Sequence, residues 1–179
     1  MSISLPRFSA ATVVLCVAGA VYAGIAQWDF EGTLGASTEN EPLVVAAASP
    51  ASTPDLSFTS VQIAGGTAGV AHFSRGTHFI LTHGFAPNGG GRNLNQYTLV
   101  MDVMFPNRAP SGGWAALLQT DPNNTSDGDW FVNPDGGVGI SSNYGGSVPD
   151  GEWHRLALVV DLVAGSFTSF IDGVRVQQN

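Results

Sequence analysis

Apolar and polar residues alternate along the second half of the chain, most clearly from Tyr97 to Phe105. Every second residue of this run is apolar, and Thr98 and Asp102 lie between them. A period of two with one fully apolar face predicts a strand whose sheet packs on a core from one side. Pro106 should end the strand, because proline has no N–H to donate to a neighbouring strand.

A second alternating run, Trp153–Asp161, predicts a strand whose core face carries His154, Leu156, Leu158 and Val160. Ser166–Ile171 should follow as the next strand. The Asp172-Gly173 pair then predicts a two-residue hairpin turn, because both residue types tolerate positive φ. Weaker patterns predict further strands at Gly24–Phe30, Leu56–Ala64, Gly69–Ser74, Phe79–Thr82, Trp114–Gln119, Trp130–Asn133 and Val138–Ser142.

Two stretches rich in small and polar residues predict loops. These are Gly35–Asp55, with a short strand at Leu43–Val45, and Ala86–Asn95. No run after the first 23 residues keeps a helical period, so the fold class predicted is all-β. The return strand of the last hairpin is only a few residues long when the sequence reaches Asn179. We therefore expect a β-sandwich that is incomplete at its C-terminus.

The first 23 residues have the features of a secretory signal peptide. Arg7 is followed by an uncharged apolar stretch, Phe8–Val21, and Val21-Tyr-Ala23 offers small residues for cleavage. Gly24-Ile-Ala26 is the alternative cleavage site. This predicts a mature domain of residues 24–179 that is secreted, periplasmic or at the cell surface, with no membrane span. The single cysteine, Cys16, would leave with the signal, so the mature chain would lack disulfides and thiol chemistry.

Charge is sparse and acidic: 6 basic residues face 14 acidic ones, which gives a net charge of −8 at pH 7. A nucleic-acid partner is not expected, because little in the chain would neutralise phosphates. The same balance disfavours an anionic membrane surface. It suits a soluble secreted protein, or a protein that holds a cation.

Five segments together carry a family resemblance: Trp28–Gly32, Tyr97–Pro106, Asp127–Asn133, Gly151–Arg155 and Phe170–Gly173. In this order they resemble the laminin G-like, concanavalin A-like domains of secreted bacterial proteins, over about Trp28 to Val176. The resemblance implies a jelly roll of two antiparallel sheets packed face to face. The chain departs from the family in lacking the last strands, which normally return beside the first.

Such domains are usually accessory modules that bind carbohydrate or protein ligands, often near a calcium ion. Others are spacers in larger secreted chains, and some relatives of the fold are glycoside hydrolases. Fold alone does not choose among these functions.

The loop before Trp130 is a candidate calcium site, because hard oxygen ligands recur at every second residue. The five candidate ligands are Asp121, Asn123, Thr125, Asp127 and Asp129. The spacing differs from an EF-hand, since Ser126 replaces the required glycine and Val132 the final glutamate. The alternative is an ordinary polar turn, in which Asp and Asn side chains cap their own backbone.

Carbohydrate binding generally uses exposed aromatic rings with polar side chains beside them, because a pyranose has an apolar face and a polar rim. The candidate rings are Trp114, Trp130 and Tyr144, and the candidate polar partners are Asn123, Asp127, Asn133 and Asn143. The alternative places Trp114 and Trp130 in the core.

Catalysis has weaker support. Glycoside hydrolysis needs two carboxyl groups across the scissile bond, but Asp29 and Glu31 lack the third acid of the hydrolase relatives. His154 is interpreted as a buried, hydrogen-bonded core residue. We therefore expect a non-catalytic secreted module that binds polysaccharide or another cell-surface ligand. The alternatives are a structural or adhesive spacer domain and, third, a glycoside hydrolase.

Overall fold

The computed structural model describes residues 7–17, 24–38, 40–47, 53–63, 65–109, 112–120 and 130–179. These residues form fourteen strands and no α-helix, so none of them provides a helix that could cross a membrane. The strands are β1 Arg7–Val17, β2 Gly24–Trp28, β3 Val44–Ala47, β4 Leu56–Ile63, β5 Gly66–Ser74, β6 Thr77–Ile80, β7 Gln96–Met104, β8 Ala115–Leu118, β9 Trp130–Val132, β10 Val138–Ile140, β11 Asn143–Gly145, β12 His154–Asp161, β13 Ser166–Ile171 and β14 Val174–Gln178. The predicted all-β class is confirmed.

The described strands belong to three antiparallel sheets. The largest has eight strands in the order β14-β13-β12-β7-β1-β5-β4, with β2 paired to part of β1. A four-stranded sheet has the order β11-β10-β9-β8, and β3 pairs with β6 in a small third sheet.

The first core cluster lies between the eight-stranded and four-stranded sheets. The larger sheet contributes the predicted apolar faces of β7 and β12, including Leu99, Met101, Leu156 and Leu158. The smaller sheet contributes residues of β8, β9 and β10, among them the fully buried Trp130. Burial of this apolar surface against apolar surface is the main term that stabilises the pair of sheets. The two sheets therefore pack face to face, as in a β-sandwich.

A second core cluster lies beside the first, under β1, β2 and β5. It contains Leu15, Ala26, Trp28, Phe30, Leu43 and Ala71. The third sheet adds Phe79, which stacks on Phe30 at 5.7 Å between ring centroids. Val13 and Tyr97 contact both clusters. Tyr97 is buried enough that its pKa is raised above the ordinary value. The two clusters therefore form one continuous core.

The strands of the last hairpin and the strand at Gln96–Met104 lie within a few residues of their predicted positions. Two strands were not predicted, β1 and β11. β11 has no signal in the sequence, because Asn143-Tyr-Gly145 is too short to show alternation.

Arg7–Val17, the centre of the predicted signal peptide, is a strand of the eight-stranded sheet. Residues 1–6 and 18–23, including the predicted cleavage position at Ala23, lie outside the described residues. Cleavage therefore stays a prediction. Cys16 is half-buried and carries a free thiol.

Candidate functional site, an aromatic patch on the smaller sheet

The outward face of the four-stranded sheet presents a row of residues defined by strand register. Phe131 pairs with Ala116 on one side and with Gly139 on the other, and Gly139 pairs with Tyr144. Successive side chains of a strand point to opposite faces. The neighbours Val132 and Val138 fill the core, so Phe131 and Tyr144 lie on the outer surface.

Trp114 immediately precedes β8 and completes a cluster of three rings. Its indole lies edge-on to Phe131, at 6.1 Å between centroids and 90° between planes. It also meets Tyr144 edge-on, at 5.7 Å and 73°. Such T-shaped pairs are favoured by the ring quadrupoles. Trp114 is nevertheless 46% exposed. We call Trp114, Phe131 and Tyr144 the aromatic patch.

Two glycines make room for the aromatic patch. Gly139 lies in the strand between Phe131 and Tyr144, where a Cβ would come within 2.8 Å of the Tyr144 Cα and would overlap the Asn143 carbonyl oxygen. At Gly137 a Cβ would lie 3.1 Å from the Tyr144 Cβ. Contacts under 3.0 Å with backbone cannot be relieved by side-chain rotation, so glycine is required at position 139.

A buried arginine fixes the loops beneath the patch. Arg108 is 6% exposed and pairs through Nε with the Asp150 carboxylate at 2.6 Å. Its Nη2 donates to the Val148 carbonyl at 2.7 Å, and its backbone N–H donates to the other Asp150 oxygen. The Arg108 carbonyl accepts from Gly113 N, next to Trp114. A buried charge is tolerated when it is paired and hydrogen-bonded in this way.

Asn133 and Asn143, the predicted polar partners of a ligand, hydrogen-bond within the protein. Asn133 Oδ1 accepts from Gly137 N at 2.8 Å, which closes the turn between β9 and β10. Asn143 Nδ2 donates to the Gln178 carbonyl and to Asn179 Oδ1. Asn143 also points to the face opposite Tyr144, since the two are adjacent in β11. Of these two asparagines, Asn133 is the one near Tyr144, since a Cβ on Gly137 would lie close to both side chains. The other two predicted polar partners, Asn123 and Asp127, lie outside the described residues.

Trp130 does not share the surface position predicted for a ligand-binding ring. Its indole is completely buried in the first core cluster, and Nε1 donates to Ser169 Oγ at 3.1 Å. Ser169 Oγ in turn donates to Gln177 Oε1 at 2.9 Å. The alternative core position is the one observed for Trp130, whereas Trp114 takes the exposed one. Strand register explains why the predicted surface position is wrong for Trp130: Phe131 occupies the outward position in β9, so Trp130 faces the core.

The predicted calcium ligands Asp121, Asn123, Thr125, Asp127 and Asp129 all lie outside the described residues. The loop joins β8 to β9, whose Phe131 is part of the aromatic patch. Within the described part of the chain, no cluster of three or more His, Cys, Asp or Glu side chains could hold a metal ion. Calcium binding by this loop stays a prediction.

The candidate acid pair, Asp29 and Glu31, makes separate structural hydrogen bonds. Asp29 accepts from Gln27 Nε2 at 2.7 Å and from Ser37 Oγ. Glu31 Oε1 accepts from the backbone N–H of Gly69 at 2.9 Å. Both carboxylates therefore hold the chain that leaves β2 against its neighbours.

His154 is largely buried, as predicted, and its Nδ1 lies 2.8 Å from Asp172 Oδ2. Asp172 also accepts from the backbone N–H of Arg155 at 2.8 Å. Burial opposes ionisation of Asp172, but these hydrogen bonds outweigh it and leave the pKa of the carboxyl below its ordinary value. The histidine thus fastens the Asp172-Gly173 hairpin turn to β12.

Phe131 is the member of the aromatic patch that the sequence analysis missed. The available signal was its alternation with Trp130, which requires that only one of the two rings face the core.

No family model, curated protein or solved structure matches this chain.

Proposed function

We propose that the protein is a non-catalytic, secreted binding module whose aromatic patch stacks against the apolar face of a polysaccharide. The observation that carries the proposal is the exposure of Trp114 beside Phe131 and Tyr144 on an ordered sheet surface. A large indole held edge-on by two rings presents apolar area at low conformational cost. Rigid aromatic anchors of this kind dominate many binding interfaces.

The fold assigned within this proposal is the concanavalin A-like, laminin G-like jelly roll, which the motif order in the sequence favours. The antiparallel pair of packed sheets supports that assignment at the level of a sandwich. The secreted location rests on the leader-like features of residues 1–23. Calcium would act beside the aromatic patch, because the acidic loop leads into β9.

A glycan array probed with the whole protein, with and without calcium, tests the proposal. Binding to one polysaccharide class should weaken roughly tenfold in Trp114→Ala, the equivalent of about 1.4 kcal/mol. Tyr144→Phe should retain the ring stacking and most of the affinity. Val159→Ala is the matched control, because Val159 is an exposed apolar residue on the larger sheet.

Equal binding by Trp114→Ala and by the unaltered protein would place the ligand elsewhere and overturn the assignment of the patch. If a correctly folded protein binds no glycan in either condition, the structural or adhesive spacer becomes the better proposal. Near-ultraviolet circular dichroism of each variant shows that the core tryptophans remain packed.

A further inference from the structure

β1 occupies an interior position in the largest sheet, with hydrogen-bonded neighbours on both sides. On one side it pairs with β7, from Ser9 opposite Met104 to Val17 opposite Tyr97. On the other side its first half pairs with β5 and its second half with β2. β1 therefore joins the β7 half of the sheet to the β5 half.

The side chains of β1 match the two faces of the sheet at this position. Leu15 points inward and is 5% exposed in the second core cluster, and Val13 contacts both clusters. Thr12 and Val14 lie on the opposite face, where they line a shallow groove of about 420 Å³ together with Asp102 and Arg155. The strand thus fits its place by alternation as well as by backbone pairing.

The same segment has the sequence of a removable leader, so cleavage after Ala23 would separate it covalently from the domain. Without it, β7 would face β5 and β2 across a gap of one strand, roughly 10 Å between the flanking strands. Both edges of that gap would carry unpaired N–H and C=O groups. Its floor would expose the apolar residues that Leu15 and Val13 cover.

We propose that residues 24–179 form a strand-binding groove and that the chain's own segment Arg7–Val17 is its occupant. All the pairing described for β1 is between strands, so it does not require an intact peptide bond at Ala23. The segment remains in the sheet as a bound peptide after cleavage. Recognition depends on the apolar side chains of Val13 and Leu15, which point inward in the described part of the strand.

The test starts from the whole protein, with a specific protease site placed within residues 18–23. After the folded protein is cut, the N-terminal peptide should co-elute one-to-one with the remainder in size-exclusion chromatography. It should separate only when the protein is unfolded. Release of the peptide from a remainder that keeps its tryptophan circular dichroism would overturn the proposal.

Refolding with added peptides decides the specificity. A fluorescent peptide of residues 7–17 should be incorporated when the cut protein is unfolded and refolded in its presence, and the Leu15→Asp peptide should be incorporated more than tenfold more weakly because a buried, unpaired carboxylate is costly. The Val14→Thr peptide, altered on the outer face, is the control and should bind like the original. Equal binding by all three peptides would contradict the groove. If the remainder unfolds after cutting, refolding by the original peptide supports the proposal, and failure to refold overturns it.

Discussion

Asp172 stabilises the turn between β13 and β14, although its backbone has a positive φ of 50°. Its side chain accepts from Arg155 N and contacts His154 Nδ1, both at 2.8 Å. We expect Asp172→Asn to keep the turn, since asparagine tolerates this conformation, and to remove the charge. The folded pKa lies below the ordinary value of about 3.9, so the carboxylate stabilises the fold at neutral pH.

As the pH falls below about 4, the unfolded chain takes up the proton before the folded one, and this contribution is lost. The stability difference between the unaltered protein and Asp172→Asn should therefore shrink as the pH falls below about 4. Urea unfolding at several pH values measures it. Asp135→Asn removes an exposed turn carboxylate and serves as the control for net charge. Identical pH profiles for the two variants would contradict the role of Asp172.

Trp114 and Trp130 show what the sequence could establish about the site at the residue scale. Composition and position identified both rings, together with Tyr144, as residues near the ends of strands. The pattern of β9, only three residues long, could not decide whether Trp130 or Phe131 faces the core. That choice depends on pairing with β10 and β8, which are distant in sequence and lack a local signal.

At the scale of single strands, Gly139 in β10 controls how closely the aromatic patch can assemble. Gly139→Ala should destabilise the protein by about 1–3 kcal/mol, because the added methyl group meets backbone of β11. It should also weaken ligand binding, since Tyr144 would move away from Phe131. Chemical denaturation and the glycan array measure the two effects.

Gly66→Ala is the matched control within another strand, β5. Among the residues that the structure describes, a Cβ at Gly66 would meet nothing nearer than the Ile63 carbonyl oxygen at 3.8 Å. The free energy of unfolding of Gly66→Ala should differ from that of the unaltered protein by no more than about 0.5 kcal/mol. A similar loss in both glycine variants would mean that the close approach at Gly139 is not the cause.

The loop between β8 and β9 carries the calcium prediction. If it binds calcium, a chelator should lower the melting temperature, because a ligand that binds the folded state stabilises it by mass action. Asp127→Ala should abolish that difference, whereas Asp135→Ala, outside the loop, should retain it. Differential scanning calorimetry provides the measurement. A melting temperature that is insensitive to the chelator would remove calcium from the proposed function.

Strands differ in how well the sequence predicts them, and the reason is physical. β7 and β12 bury one face and expose more of the other, so the alternation of apolar and polar residues is visible in the sequence. β1 lies in the interior of the sheet, and its second half, Val13–Val17, is a continuous apolar run, which is also the pattern of a leader. Periodicity cannot separate these two cases, since both arise from an uncharged apolar environment.

Across the whole molecule, the two core clusters share one sheet and the bridging residues Val13 and Tyr97. We therefore expect a single cooperative unfolding transition. The sequence has four tryptophans, of which Trp28 reports on the second cluster and Trp130 on the first. Incorporation of 5-fluorotryptophan gives each a separate fluorine resonance, which single Trp→Phe variants assign.

The native resonances of Trp28 and Trp130 should disappear at the same urea concentration. Leu158→Ala should cost about 2–5 kcal/mol, because Leu158 is only 1% exposed in the first cluster. Leu158→Ala should lower the urea midpoints of the Trp28 and Trp130 resonances together. Leu158 lies in the cluster of Trp130 only, but β7 and β1 transmit the loss of stability to the second cluster. Val159→Ala, on the exposed face of the same strand, should move neither midpoint appreciably. If Leu158→Ala shifts the urea midpoint of Trp130 but not that of Trp28, the two clusters unfold as independent units that meet at β1.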